Sequence, residues 1–499
     1  MLRTPLRWSW LGLALTLVLV SVFVFSFASQ AGASSFTFKT FELGDFNPPG
    51  APGTVCPQST ESQACTNYAA EPAIRADPAG NFYASSEHGL GGGTDAWRSS
   101  DGGQHYVTLV SPNAVSQTNT TGFAPGGGDT DLAVAPVKNS AGNYNVYVAS
   151  LNLANVDVST SKDKGNTWTL NPAAATISGD DREWIAADQS SKVCISYHDI
   201  ETFNIDVNCS TDAGKTFTQL GDAIDTNHAF LINNNQIGNL MINPSSHIIY
   251  QIFNGIHDAS EIACGEAGTC GYHTVWMAVS TDGGKTFTDY MVYNGPKTAS
   301  YNHNFTNVSI DNAGNVYSVF SNNHNVYYSY STTHGKNWSS IVQVNSSPAN
   351  TAIFPWSVAN HAGRIDIVYY GTSYFKAGTP PDSYPNSAAW YVYMAQNLSA
   401  TTSGSSFTQV RATPIVHHGG VCEGGVTCTG NRDLYDDFGV AVDRYSGSSA
   451  YGFASIVYSD DQYINDANDP PASGCTAATT NTGSCDHTSI ATQTAGTAI

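Results

Sequence analysis

Short apolar runs alternate with short polar turns along most of the chain. The stretch from Glu71, EPAIRADPAGNFYASS, is typical: two apolar runs flank an Asp-x-x-Gly-Asn turn. The arrangement recurs from Asp129, Asp181, Gln236, Asn304, Ile353 and Asp437, giving seven copies. The runs are rich in Val, Ile, Tyr and Phe and are bounded by Gly, Asn and Asp, which predicts β-strands.

A second pattern falls between these copies. It reads SSDGGQHY at 99–106, SKDKGNTW at 161–168, STDAGKTF at 210–217, STDGGKTF at 280–287 and STTHGKNW at 331–338. The shared template is Ser-x-Asp-x-Gly-x-x-aromatic, with Thr333 replacing Asp in the fifth copy. It predicts a hairpin turn in which the Asp side chain caps backbone N–H groups and Gly supplies a positive φ. Each unit then holds four strands, the signature of a β-propeller. A solenoid would need polar caps, and none is visible. The expected fold is all-β, a propeller of seven four-stranded blades over 71–499, with six blades as the alternative. Residues 34–70 form an extension, of which Phe36 to Gly50 offers a ring-closing strand.

The Ser–Asp turns resemble the Asp-box, or BNR, repeat of the sialidase superfamily, over about residues 71 to 460. The resemblance implies boxes on the face away from the active site, so Asp101, Asp163, Asp212 and Asp282 are read as structural. It also implies three arginines gripping a sialic acid carboxylate, a Tyr–Glu nucleophile pair and an Asp general acid. The family's first arginine belongs to an Arg-Ile-Pro motif. Setting Pro72 on that proline puts Ala70 where the arginine belongs, a departure that argues against sialidase turnover. The expected function is a sialidase-like propeller that binds or processes extracellular glycans or glycoproteins; the alternative is an active exo-α-sialidase or another glycoside hydrolase.

Charge and cysteines narrow the setting. With 19 Lys+Arg against 40 Asp+Glu, the net charge is −21, which disfavours nucleic acid as a partner. Residues 1–33 carry Arg3 and Arg7, then an apolar run from Trp8 to Phe27, then Ala31-Gly32-Ala33. That order marks a signal peptide or a membrane anchor, with the remainder secreted or held outside the membrane. The ten cysteines read as local disulfides Cys56–Cys65, Cys194–Cys209, Cys264–Cys270, Cys422–Cys428 and Cys475–Cys485. Nothing marks a subunit interface, so a monomer is expected.

Loops leading into each blade, and those joining its second and third strands, share one face of a propeller. On that face the candidate catalytic acids are Asp95, Glu261 and Asp181. Arg182 and Arg432 are the candidate substrate-binding arginines. Trp184, Trp276, Trp356, Trp390 and Tyr391 are candidates for stacking on a sugar ring, and Tyr374 is a further candidate for substrate binding. No cofactor is required. The acidic pairs Asp129/Asp131, Asp180–Asp181, Asp436–Asp437 and Asp460–Asp461 could hold Ca²⁺ through oxygen ligands.

Overall fold

The computed structural model describes residues 35–43, 70–87, 91–113, 126–152, 155–176, 180–425, 428, 431–436, 438–461 and 487–499. The leader 1–33, the pairs Cys56–Cys65 and Cys475–Cys485, and Asp437 lie outside the described residues.

Seven antiparallel sheets follow one another, six of four strands and one of five. Their innermost strands are Ala70–Ala76, Thr130–Lys138, Asp180–Asp188, Asn235–Ile242, Asn307–Ile310, Thr351–Ala359 and Gly439–Val442. These are blades 1 to 7 of a β-propeller, and each coincides with one copy of the first sequence pattern. The fifth strand of blade 6 is the short His417–His418, paired with the third strand Ala389–Asn397. Blade 7 takes its outermost strand from the other end of the chain: Thr37–Glu42 pairs antiparallel with His487–Ala495. The two ends of the chain thus build one blade together and close the ring.

The Ser–Asp turns follow the third strands and adopt the expected geometry. In blade 2, Ser161 Oγ lies 2.9 Å from Asp163 Oδ1, and Gly165 N–H donates to Ser161 Oγ at 2.7 Å. Thr167 N–H and Oγ1–H donate to the two Asp163 oxygens at 2.9 and 2.7 Å. Asp101, Asp212 and Asp282 repeat the pattern, and all five template glycines have φ between 76° and 98°. At Asp212 the first cause, the hydrogen bond from Thr216 N–H, helps hold the carboxyl down at about 2. In the fifth copy Thr333 Oγ1 accepts from Asn337 N–H at 3.0 Å. A hydroxyl therefore keeps one of the bonds that a carboxylate would make.

The core lies between the blades. Trp97, Trp184 and Trp390 are fully buried, and blades 1 to 6 each bury a second-strand tyrosine: Tyr83, Tyr147, Tyr197, Tyr250, Tyr317 and Tyr369. Three expected disulfides are present, Cys194–Cys209, Cys264–Cys270 and Cys422–Cys428. The last two close short loops. Cys194 and Cys209 instead face each other directly across adjacent strands, so this bridge staples a sheet, where a loop staple was expected. Among the described residues no helix is long and apolar enough to cross a membrane.

Candidate functional site

First strands run away from one face, the mouth, toward the face that carries the Ser–Asp turns. At the mouth several first strands are bulged. Pairing breaks between Ala70 and Ala73 in blade 1, between Asp181 and Glu183 in blade 3, and between Ile353 and Trp356 in blade 6. The residues at these breaks, Glu71, Arg182 and Phe354, all have φ of 50–51°. A left-handed backbone costs a non-glycine residue about 1 kcal/mol or more. The same strain at equivalent places in three blades re-aims side chains at the strand ends that ring the axis.

Charge converges there. Glu71 is fully buried, and both candidate arginines meet on it: Arg182 Nη1 lies 3.3 Å from Oε2, and Arg432 Nη2 lies 3.1 Å from Oε1. Arg432 also reaches Asp436 at 2.9 Å, and Arg182 lies 3.6 Å from Asp129. Glu71, Glu87 and Asp129 each bring an oxygen within 4.8 Å of the others. Asn304 Nδ2 donates to Asp436 at 3.3 Å. The Arg182 guanidinium rests 4.3 Å from the Trp184 ring centroid and 4.7 Å from that of Phe305. Trp184 in turn lies 5.2 Å from Trp356.

So many buried carboxyls cannot all ionise. Burial, followed by the charges of Glu87, Asp129 and Asp436, pushes Glu71 upward, while Arg182 pulls it back. Glu87 rises to about 8, first through burial and then through Asp129, against the pull of Arg432 and Arg182. Glu183 is raised by burial, and then by Asp129; both its oxygens are buried without a hydrogen-bond partner. Burial raises Asp436 as well, in spite of Arg432. Burial thus pushes Glu71, Glu87 and Glu183 together toward their neutral forms.

The candidate residues fall into two groups. Arg182 and Arg432 come together, and Asp181 sits at the rim, its carboxyl raised by desolvation and then by Asp129. Trp184 is at the site too, but it is buried beneath the guanidinium. Asp95 pairs across its hairpin with Ser86, so its side chain leaves the opposite face from Glu87. Glu261 lies in the loop of blade 4, bound by Lys297 Nζ at 2.7 Å, His273 Nε2 at 2.9 Å and His257 N–H at 2.8 Å. Burial would raise it, yet these donors take it down to about 2. Tyr374 packs 4.7 Å from Tyr384. Glu71, Glu87 and Glu183 were not expected from the sequence.

Two of the acidic pairs proposed for Ca²⁺ are split, each carboxylate being turned to a different partner. Asp129 faces Arg182, whereas Asp131 pairs with Arg75 at 3.0 Å. Asp460 pairs with His487 at 2.6 Å, and Asp461 with His417 at 2.9 Å. At the mouth, two guanidiniums already occupy the oxygens of Glu71, so that cluster suits a calcium ion poorly.

No family model matches the chain, and no curated protein matches it. Among solved structures it is similar to a protein of unknown function from Dyadobacter fermentans, at 12% identity and a TM-score of 0.44, over 93% of this chain and 99% of that one. It is similar to a xyloglucanase from Xanthomonas campestris at 12% identity and a TM-score of 0.45, over 87% of this chain and 54% of that one. It spans about half the length of that enzyme. It is also similar to the endosialidase of phage phi92, at 9% identity and a TM-score of 0.44, over 93% of this chain and 70% of that one. Seven blades, with four Ser–Asp turns closed by one hydrogen-bond pattern, make this chain a seven-bladed β-propeller.

Proposed function

We propose that the mouth binds and hydrolyses an uncharged extracellular glycan, with Glu87 as general acid and Asp129 as the partner carboxylate. One observation carries this reading. A carboxyl held near pKa 8 has an oxygen within 4.8 Å of a second carboxyl oxygen, where the blades converge. Two neighbouring carboxyls, one of them a proton donor, are what glycosidic cleavage needs. Asp181 would flank the bound sugar from the rim. The same geometry disfavours sialic acid. Both arginines bind internal carboxylates, so neither guanidinium is left for a substrate carboxylate. The disulfides suit an oxidising, extracellular setting.

The test uses the whole exported chain on chromogenic glycosides of neutral sugars, with a sialoside alongside. Turnover of a neutral glycoside should fall by roughly 100-fold or more in Glu87→Gln and in Asp129→Asn. Cleavage of the sialoside, or neutral-sugar turnover that survives both substitutions, would overturn the assignment.

A further inference from the structure

The axis has a second opening. A cavity of about 230 Å³ lies at the Ser–Asp-turn end, lined by residues from the first strands of all seven blades or the turns that follow them. Its wall is mainly apolar, with Ile185, Met241, Val358 and Val442 among its residues, and Trp356 closes it toward the mouth. Two guanidiniums line it, those of Arg75 and Arg444.

These arginines differ in their partners. Arg75 is held on two sides: Nη2 pairs with Asp131 at 3.0 Å, and Nη1 donates to Ile74 O at 2.8 Å. A third arginine at this end, Arg364, donates to Ala498 O at 3.3 Å. The carboxylates beside and within the lining, Asp131 and Asp311, have partners as well. Asp131 also accepts from Leu132 and Ile185 N–H. Asp311 accepts from Ala313, Asn315 and Gly363 N–H and from Tyr317 OH. Arg444 stands just past the last first strand and makes no ion pair or hydrogen bond among the described residues. Its residue surface is exposed at the cavity rim, and desolvation of the guanidinium and the like charge of Arg75 both weigh against its charge.

We propose that this cavity is a binding site for a small organic anion, whose carboxylate is taken by Arg444 and whose apolar body lies on the Met241–Val358 wall. An unpaired guanidinium offers five donors in a planar fork that matches a carboxylate. A mostly apolar pocket with one convergent charge is the usual composition of a small-molecule site. A bare inorganic anion would leave the apolar wall unused. The site lies at the opposite end of the axis from Glu87 and Asp129, so it stands or falls independently of the glycan reading.

Calorimetry with the whole exported chain tests this with three probes: benzoate, its uncharged counterpart benzamide, and inorganic phosphate. Benzoate should bind roughly 10- to 100-fold more tightly than benzamide, the value of a hydrogen bond to a charged group. Arg444→Gln should abolish that difference, and Arg444→Lys should restore part of it. Unchanged circular dichroism in both variants would show that the fold is intact. Three results would overturn the proposal: no benzoate binding at millimolar concentration, an unchanged preference in Arg444→Gln, or phosphate binding as tightly as benzoate.

Discussion

The two ends of the propeller axis use arginine in opposite ways. At the mouth, carboxyls outnumber guanidiniums. Arg182 and Arg432 both pair with internal carboxyls, and burial pushes the surplus acids Glu71, Glu87 and Glu183 toward their neutral forms. At the far end, Arg75 and Arg364 are matched to acceptors and Arg444 is left over. The lesson is that the count of arginines on a face says little about anion recognition. What counts is whether an internal acceptor already takes each guanidinium.

This contrast can be broken most forcefully at Glu71. Glu71→Ala leaves two desolvated guanidiniums without their shared partner, which should lower stability by about 3–5 kcal/mol. Urea unfolding measures it, and a loss below about 1 kcal/mol would mean that the mouth is wet and its charges are screened. The next effect is on pH. His417 is buried on the mouth side, with Nδ1 facing Asp461 and Nε2 facing Gly420 O, both at 2.9 Å. Both partners are acceptors, so the ring is held as an imidazolium. Burial opposes the charge, but Asp461 prevails and lifts the pKa to about 9. The folded value exceeds the unfolded one. The stabilisation is therefore complete below about pH 6.5 and is lost as pH rises through 9, about 3 kcal/mol in all. Hydrogen exchange of residues 416–421 should accelerate across that window, and flat protection would refute the assignment.

A smaller effect belongs to the turns. Asp163→Ala removes a carboxylate that accepts from Thr167, and it should cost about 1–2 kcal/mol without changing catalysis. Catalytic turnover itself should decline as pH rises through about 8, where Glu87 loses its proton; a profile still rising beyond pH 9 would exclude it as the acid. The smallest effect is expected at Arg444. It has no partner to lose, so Arg444→Gln should shift stability by less than about 0.5 kcal/mol in a thermal melt.

The blades were legible because repetition makes weak signals strong. One Ser-x-Asp-x-Gly turn is unremarkable, but five fixed the third-strand ends, and seven first-strand copies fixed the blade count. Arg182 and Arg432 were legible because each stands beside acids where a blade begins. Glu71 was not, although it too opens a blade. Its role depends on a bulge that turns its side chain toward two arginines, 111 and 361 residues away. One local clue was present. Pro72 and Pro355 each lie inside a first strand, where proline marks a bulge. Glu261 was misleading for a physical reason: an acid on a long loop looks available until the loop's own Lys297 and His273 close on it.

The strand that completes blade 7 has a direction. Thr37 pairs with Ala495 and Glu42 with Ser489, so the segment climbs from the turn side toward the mouth. Whatever precedes Phe36 departs from the side carrying Arg444. The chain therefore enters the ring on the face that carries the guanidinium cavity, and the carboxyl-rich mouth lies on the other.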